Sequence, residues 1–349
     1  MSVAQETSAP RSISRLNVKS TKGESLWADS FRRLRRNKMA MIGLLLIILF
    51  ILMSIFAHVI APYGYREQNL MMNNSAPRWV IDLFPVMESK EDGGYVTLNN
   101  DYALGADSLG RDLLSRIIYG TRVSLAVALV GPLVATTVGL TLGVVAGYFG
   151  GWIDNVIMRL VDIVYAFPTL LFIILIMAFF RGGGFSTVEA QGTLGGALYQ
   201  LDVSTGGMFF IFIGVGLTPW VGLARLARGQ VLAVREKEFI TAAESIGANH
   251  RGIMLRHALP NILGPLVVAE TLAIPTYIRY EAFLSFIGLG VTPPTPSWGA
   301  MISEGSRAIA TYPHQALFPA FALFLLMFAF NFLGDGLRDA LDPRMRGVD

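Results

Sequence analysis

The chain has no cysteine, which excludes disulfides, thiolate metal sites and a cysteine nucleophile. Charge is scarce as well: Asp, Glu, Lys and Arg make up 15% of 349 residues, against about 25% in soluble domains. Histidine occurs four times, at positions 58, 250, 257 and 314, and never in a metal-ligand spacing such as HExxH. No metal site and no catalytic set of His, Asp and Ser is therefore expected. Of five lysines only Lys19 precedes Ser or Thr, and no glycine leads into it. The Gly-x4-Gly-Lys-Ser/Thr loop that cradles nucleotide phosphates is thus missing, and ATP-driven work would need a motor on another chain.

What is abundant is apolar sequence, 53% of residues, gathered into stretches long enough to cross a hydrocarbon core of about 30 Å. The pattern predicts an all-α polytopic membrane protein with six transmembrane helices, at 40–61, 123–149, 157–180, 208–226, 261–287 and 316–334. The first follows a charged leader of almost forty residues, and no small-residue cleavage site precedes Pro62, so a cleaved signal peptide is not expected. The predicted divisions are a cytoplasmic tail over 1–39, the first span over 40–61 and an extracytoplasmic loop with an interfacial helix over 62–122. A five-span core over 123–334 and a cytoplasmic tail over 335–349 complete the chain.

Lys and Arg set the expected orientation. With the N-terminus inside, inner segments hold 19 of them and outer segments 8, with Arg279 inside a span, which predicts cytoplasmic termini and a cytoplasmic 227–260 loop. The tail from Leu26 to Lys38 places Leu26, Trp27, Phe31 and Leu34 near one face beside four arginines, as in an elbow helix lying on an anionic leaflet. Nucleic acid is rejected as its partner, because no aromatic-interleaved domain follows. Residues 1–24 are rich in Ser, Thr and charge and are expected to be mobile.

Three features call for an explanation. Gly131, Ala135, Gly139, Gly143 and Gly147 recur every fourth residue, a stripe that lets a neighbouring backbone approach closely. Between Phe239 and Pro260 runs FITAAESIGANHRGIMLRHALP, a basic amphipathic segment between two spans. It reads as a short helix with Phe239, Ile240, Ala243 and Ile246 on one face, then a turn at Gly247, then a second basic stretch ending at Leu259-Pro260. Charged groups also fall inside spans, where exposure to lipid is costly. Glu270, Ile274, Tyr277 and Glu281 follow i, i+4, i+7 and i+11 on one helical line, which predicts that Glu270, Tyr277 and Glu281 face a translocation cavity. Arg279 projects from the opposite side and is expected to pair with an acid on an adjacent helix. Arg159 and Asp162 are expected to form a local i, i+3 pair. Asn331, Asp335 and Arg338 are expected to hold the last span against the basic loop. Outside, 62–104 reads as a long polar insertion, 181–207 as a Gly-rich flexible connection, and TPPTPSWG at 292–299 as a stiff turn buttressing the outer mouth.

Taken in order, several segments resemble one family. They are RRLRRNKMAMIG before the first span, GADSLGRDLLSRIIYGTRVSL at 105–125 and AGYFGGWIDNVIMRLVDIVYAFP at 146–168. ARLARGQVL at 224–232, the basic segment, LSFIGLGVTPPTPSWGAMI at 284–302 and AFNFLGDGLRDALDPR at 329–344 continue the series. The chain is similar to the "C"-type permease subunits of ATP-binding-cassette importers for dipeptides, oligopeptides and nickel, from about Trp27 to Arg344. The resemblance implies a type I importer permease fold in a bacterial or archaeal inner membrane, with no covalent chemistry on this chain. It also implies a homologous second permease, two ATPase subunits or domains that hold ATP and magnesium, and an extracytoplasmic substrate-binding protein.

In that family the basic segment is the coupling element, with an EAA–G–LP pattern. The matches here are Ala242, Ala243, Gly247, Leu259 and Pro260; Phe239 and Glu244 belong to the same docking helix. Thr241 replaces the leading Glu, which removes the carboxylate a salt bridge at that position would use. Cargo stays open between peptides and nickel or another small solute. An ion-coupled carrier would show paired inverted repeats with broken helices, whereas the acids here cluster unevenly and the coupling segment would have no use.

Overall fold

The computed structural model describes residues 26–182, 192–217 and 219–341; the expectations for residues 1–24, for the middle of the 181–207 segment and for the end of the C-terminal tail lie outside them. Helices dominate, and the described residues contain only isolated bridges, such as Ala76–Leu98, in place of strands.

Helix α1 (Leu26–Arg36) ends in Arg33, Arg35 and Arg36. Asn37 then caps α2 (Lys38–Ile55), its side chain accepting the Ala40 N–H at 3.1 Å, a capping bond that satisfies an otherwise free donor. The short α3 (Ala57–Ile60) follows. Residues 62–104, expected as a polar insertion, belong to a small folded unit over 62–112 around α4 (Arg78–Leu83). Its own core of Ala76, Val80, Ile81, Met87 and Val96 packs on Tyr312 and Phe318. Apolar residues spaced among the acids build this core, a signal the overall polarity of the segment hides.

Asp112 caps α5 (Leu113–Phe149), accepting the Ser115 N–H at 2.7 Å. At 1.5 Å per residue its 37 residues span about 55 Å, so the helix begins ten residues before the predicted 123–149 span and projects out of the bilayer. The third predicted span, 157–180, is broken. Helix α6 (Gly151–Ala166) and α7 (Thr169–Gly182) meet at 84°. Pro168 lacks an N–H and pushes Phe167 to extended backbone, φ −82° and ψ 133°.

Helix α8 (Leu194–Ser204) and α9 (Phe209–Gly216) are bent by 105° around Gly206 and Gly207, both at positive φ. The fourth predicted span, 208–226, is also divided, into α9 and α10 (Trp220–Arg235), with Pro219 at the start of α10. Together α9 and α10 run parallel to α5, Val134 facing Gly216, Gly139 facing Leu223 and Gly147 facing Val231. The glycine stripe is the contact. A Cβ on Gly139 would meet Leu223, one on Gly143 would meet Ala227 at 2.7 Å, and one on Gly147 would meet Val231 at 2.9 Å.

Helix α11 (Glu238–Ser245) precedes α12 (His250–Gly252), a π-helical turn (Ile253–Ala258) and α13 (Leu259–Phe286). From His250 to Phe286 the helix is continuous, so Leu259-Pro260 does not begin the fifth span, predicted at 261–287. Pro260 cannot donate to the carbonyl four residues back, and the wide π turn just before it absorbs that defect. Helices α14 (Trp298–Ser306) and α15 (His314–Leu341) complete the bundle, the latter overrunning the predicted 316–334 at both ends. Four helical stretches, Lys38–Ile55, Leu113–Phe149, His250–Phe286 and His314–Leu341, are long and apolar enough to cross a membrane unaided; the two bent pairs pass the same test only jointly.

Replacing Gly143 with Leu is expected to lower the melting temperature in detergent, reflecting about 1–3 kcal/mol of overpacking. Gly222→Ala on the opposing helix, where an added Cβ meets nothing within 4 Å, should leave it unchanged.

Candidate coupling surface and pathway residues

At the end of the bundle that carries α11, the helix is rooted by one side and bare on the other. Ile240 is buried with Val144, Tyr148, Val231, Ile253 and Ile262, and Ala243 is buried on the same side. Phe239, Thr241, Ala242 and Glu244 are exposed, and Ile246 is 86% exposed. The single apolar face expected from Phe239, Ile240, Ala243 and Ile246 is thus divided. Phe239 lies about 100° around the helix from Ile240, and Ile246 is the C-cap, beyond the last regular turn.

Gly247 then takes φ +84°. Its N–H donates to Glu244 O at 2.9 Å and that of Ala248 to Ala243 O at 3.0 Å, a Schellman closure that only a residue tolerant of positive φ completes easily. Leu259 and Pro260 sit apart from the α11 surface: Leu259 packs under it on α13, and Pro260 is exposed. Beside the turn lies a hollow of about 280 Å³ bordered by Asn249, Arg251, Leu255 and Arg256.

The polar links that tie this end together were not singled out from sequence. Tyr148 Oη is 2.8 Å from His250 Nδ1, joining the end of α5 to α12, while Arg235 donates to Tyr148 O at 3.0 Å. Arg228 grips Asp154 with two parallel bonds of 2.5 Å, the fork geometry that makes Arg–carboxylate pairs strong. Arg225 donates to Asp162 at 2.7 Å and lies 4.3 Å from the centre of the Tyr165 ring. The expected Arg159–Asp162 pair is therefore replaced: Asp162 takes its cation from α10, and Arg159 is exposed without a described acid. The i, i+3 spacing of Arg225 and Arg228 was visible, but their partners lie more than sixty residues away.

Along α13, Tyr277 donates to Glu270 Oε2 at 3.0 Å and lies buried against Gly131, where a Cβ would come within 3.1 Å of its ring. Glu270 keeps partial exposure. Glu281 is wholly buried; its Oε1 accepts from Ser285 Oγ at 2.7 Å, with Ser124 and Ser297 beside it. Its Oε2 and Ser124 Oγ lack a hydrogen-bond partner among the described groups. Of the expected cavity-facing line, then, Tyr277 and Glu281 are sealed between α5, α13 and the turn before α14 in this conformation, because Gly131 and Ser124 let α13 come close. Arg279 is exposed and donates to Thr276 on its own helix at 3.2 Å; the expected acid on a neighbouring helix is not there, since this face of α13 looks out of the bundle. Asp335 is likewise exposed without an ion pair to a described residue. The end of α15 packs instead on α1 and α2, where a Cβ on Gly336 would strike Ala40 and approach Leu34 at 3.3 Å, and not on the basic loop.

At the opposite end Arg181 clamps three segments. Its Nε donates to buried Asp202 at 3.0 Å and its Nη1 to Leu289 O and Gly290 O at 2.8 and 2.6 Å, while Nη2 bonds Gly207 O. The described part of 181–207 is thus a pinned helix and not a flexible connection. Beside it, Asp107, Arg111, Arg116 and Glu304 form an ion network, with Arg111 bonded to Asp107 at 2.6 Å and to Glu304 at 2.9 Å. Trp298 of the 292–299 turn is buried and donates to Ile117 O at 3.0 Å, which fastens that turn to α5.

Residues 139–347 match the family described as binding-protein-dependent transport system inner membrane component, and residues 25–77 match the N-terminal TM domain of oligopeptide transport permease C. The oligopeptide transport system permease protein OppC of Bacillus subtilis is 37% identical over 94% of this chain and 92% of its own length. The Escherichia coli K12 protein of the same name is 40% identical over 93% of each chain. The glutathione transport system permease protein GsiD of Shigella flexneri is 40% identical over 95% of this chain and 94% of its own. A solved methionine ABC transporter in an inward-facing conformation, 17% identical over 66% of this chain and 98% of its own, has a TM-score of 0.47, too slight a likeness to add to the fold described above. Matched over nearly all its length, the chain belongs to the inner-membrane components of binding-protein-dependent transport systems, in the oligopeptide permease C group.

Proposed function

We propose that this chain is one membrane-spanning half of an ATP-driven importer of di- and oligopeptides, with its termini and α11 on the cytoplasmic side of a bacterial or archaeal inner membrane. A homologous permease supplies the other half of the pathway. Two ATPase subunits or domains, holding ATP and magnesium, engage the bare side of α11, and an extracytoplasmic binding protein delivers cargo to the other end. The observation that carries this reading is the form of α11: a helix anchored by Ile240 and Ala243, with Phe239, Ala242, Ile246 and the Gly247 turn left uncovered. Relatives named for oligopeptide and glutathione transport support a peptide cargo.

The mechanical path follows from the contacts. A push on α11 reaches α5 through the cluster around Tyr148 and the Tyr148–His250 bond, and reaches α13 directly through the continuous helix from His250. Because α13 carries Glu270, Tyr277 and Glu281, displacement at the loop moves the residues of the pathway. Glu270 is the acid best placed to meet a peptide amino group, since it is partly exposed and no described cation pairs with it. Tyr277 holds the other side of its carboxylate. Glu281 acts by positioning the outer turn through Ser285 and Ser297.

Three outcomes test this. Gly247→Val meets no steric obstacle, since nothing lies within 4 Å, yet it opposes the positive φ; it should leave insertion intact and cut peptide uptake at least tenfold while ATP hydrolysis by the assembled complex continues. Normal uptake would count against α11 as the lever. In a double-mutant cycle, Asp154→Asn and Arg228→Gln should be coupled by about 0.5–3 kcal/mol in thermal stability; purely additive losses would mean the fork carries no load. Glu270→Gln should raise the KM for peptide uptake with assembly unchanged, and unaltered transport of every peptide tried would remove its pathway role.

A further inference from the structure

A groove of about 490 Å³ opens sideways between α2, α5, α13 and α15, lined by Ile47, Ile51, Leu125, Leu129, Ile274 and Phe330. Its walls are apolar except at one end, where Ser54 and Arg122 stand. That end is the one nearer the folded 62–112 unit. Arg122 is exposed, and its Nε donates to Ser54 O at 2.8 Å. The bend at Phe56 frees that carbonyl, so one donor of the guanidinium is used to cap α2. No described carboxylate pairs with Arg122.

A second observation is aromatic: Arg122 lies 5.2 Å from the centre of the Tyr119 ring, the Tyr119 and Tyr65 rings are 4.8 Å apart and tilted by 55°, and Arg66 lies 5.4 Å from the Tyr65 ring. Two tyrosines and two exposed arginines meet in this cluster, and tyrosine is enriched where hydrocarbon gives way to water. From Ile47 to Ile55 the groove runs about 12 Å along α2, enough for the upper part of one acyl chain. A cationic mouth over an apolar slot of this length matches one ligand chemistry, a phosphodiester attached to a hydrocarbon chain.

We infer that this groove is a phospholipid site, in which one acyl chain lies against Ile51, Leu125 and Leu129 and the phosphodiester is held by the unused Nη donors of Arg122, with Arg66 nearby. The lipid would fill the space that separates α2 from α5 and α13 at this level, and so brace α2 against the helices that move. This site stands apart from the coupling surface and does not depend on the cargo.

The test uses the full-length protein, expressed with its partner subunits and delipidated in detergent, and native mass spectrometry with added phosphatidylglycerol or with diacylglycerol of the same chains. Wild type is expected to retain one phosphatidylglycerol and to take up no diacylglycerol at equal concentration. Arg122→Gln should weaken phosphatidylglycerol retention at least tenfold. Because that change also uncaps α2, Ala126→Trp provides an independent variant: it fills the groove, leaves Arg122 in place and should abolish retention. Equal binding of both lipids, or retention unchanged in both variants, overturns the proposal. So does efficient crosslinking of Leu129→Cys, the only thiol in such a chain, to a neighbouring permease, since the groove would then hold a protein helix.

Discussion

The close approach of α5 to α10 is the constraint on which the rest of the structure depends. Gly139, Gly143 and Gly147 bring the α10 backbone to a distance at which no larger side chain fits. In lipid, where hydrocarbon surrounds helix and partner alike, such packing supplies association that the hydrophobic effect cannot. With α10 held there, Arg225 and Arg228 reach the acids of α6, and Val231 forms the floor on which Ile240 and Ala243 seat α11. Remove the glycines and the platform beneath α11 goes with them.

Two different solutions handle polar groups at depth. At the α11 end, charges are partly exposed and paired across helices, Arg228 with Asp154 and Arg225 with Asp162, so that they lock elements without full desolvation. Near the other end, Glu281 is enclosed with serines, and Asp107, Arg111 and Arg116 are buried as a network with Glu304. Breaking a buried network costs more than forming it gains, so these groups tie residues 107–116 to α14 through Glu304.

Long helices join the two ends. The 37-residue α5 and the continuous stretch from His250 to Phe286 are each longer than a hydrocarbon core of about 30 Å, so each runs unbroken from the α11 end of the bundle toward the Arg181 end. The π turn before Pro260 keeps the second of these unbroken. By contrast, α6–α7 and α8–α9 are bent sharply, and they flank the long helices without carrying α11.

How much was legible follows from which interactions are local. Hydropathy over twenty residues located the spans, the four-residue stripe named the packing face, and Gly247 after FITAAESI marked the turn, because these depend on neighbours in sequence. Fold class and family were therefore within reach of the chain alone. The breaks at Pro168 and Pro219 were written there too, but an apolar window averages over them. Pairing was different: Asp162 chose Arg225 over Arg159, Arg279 found only Thr276, and Glu281 was sealed while Glu270 was not. Each outcome turned on which helix lay opposite, at what height and how close, and one chain of apolar spans is compatible with many such arrangements until side-chain volumes and buried polar groups are satisfied together.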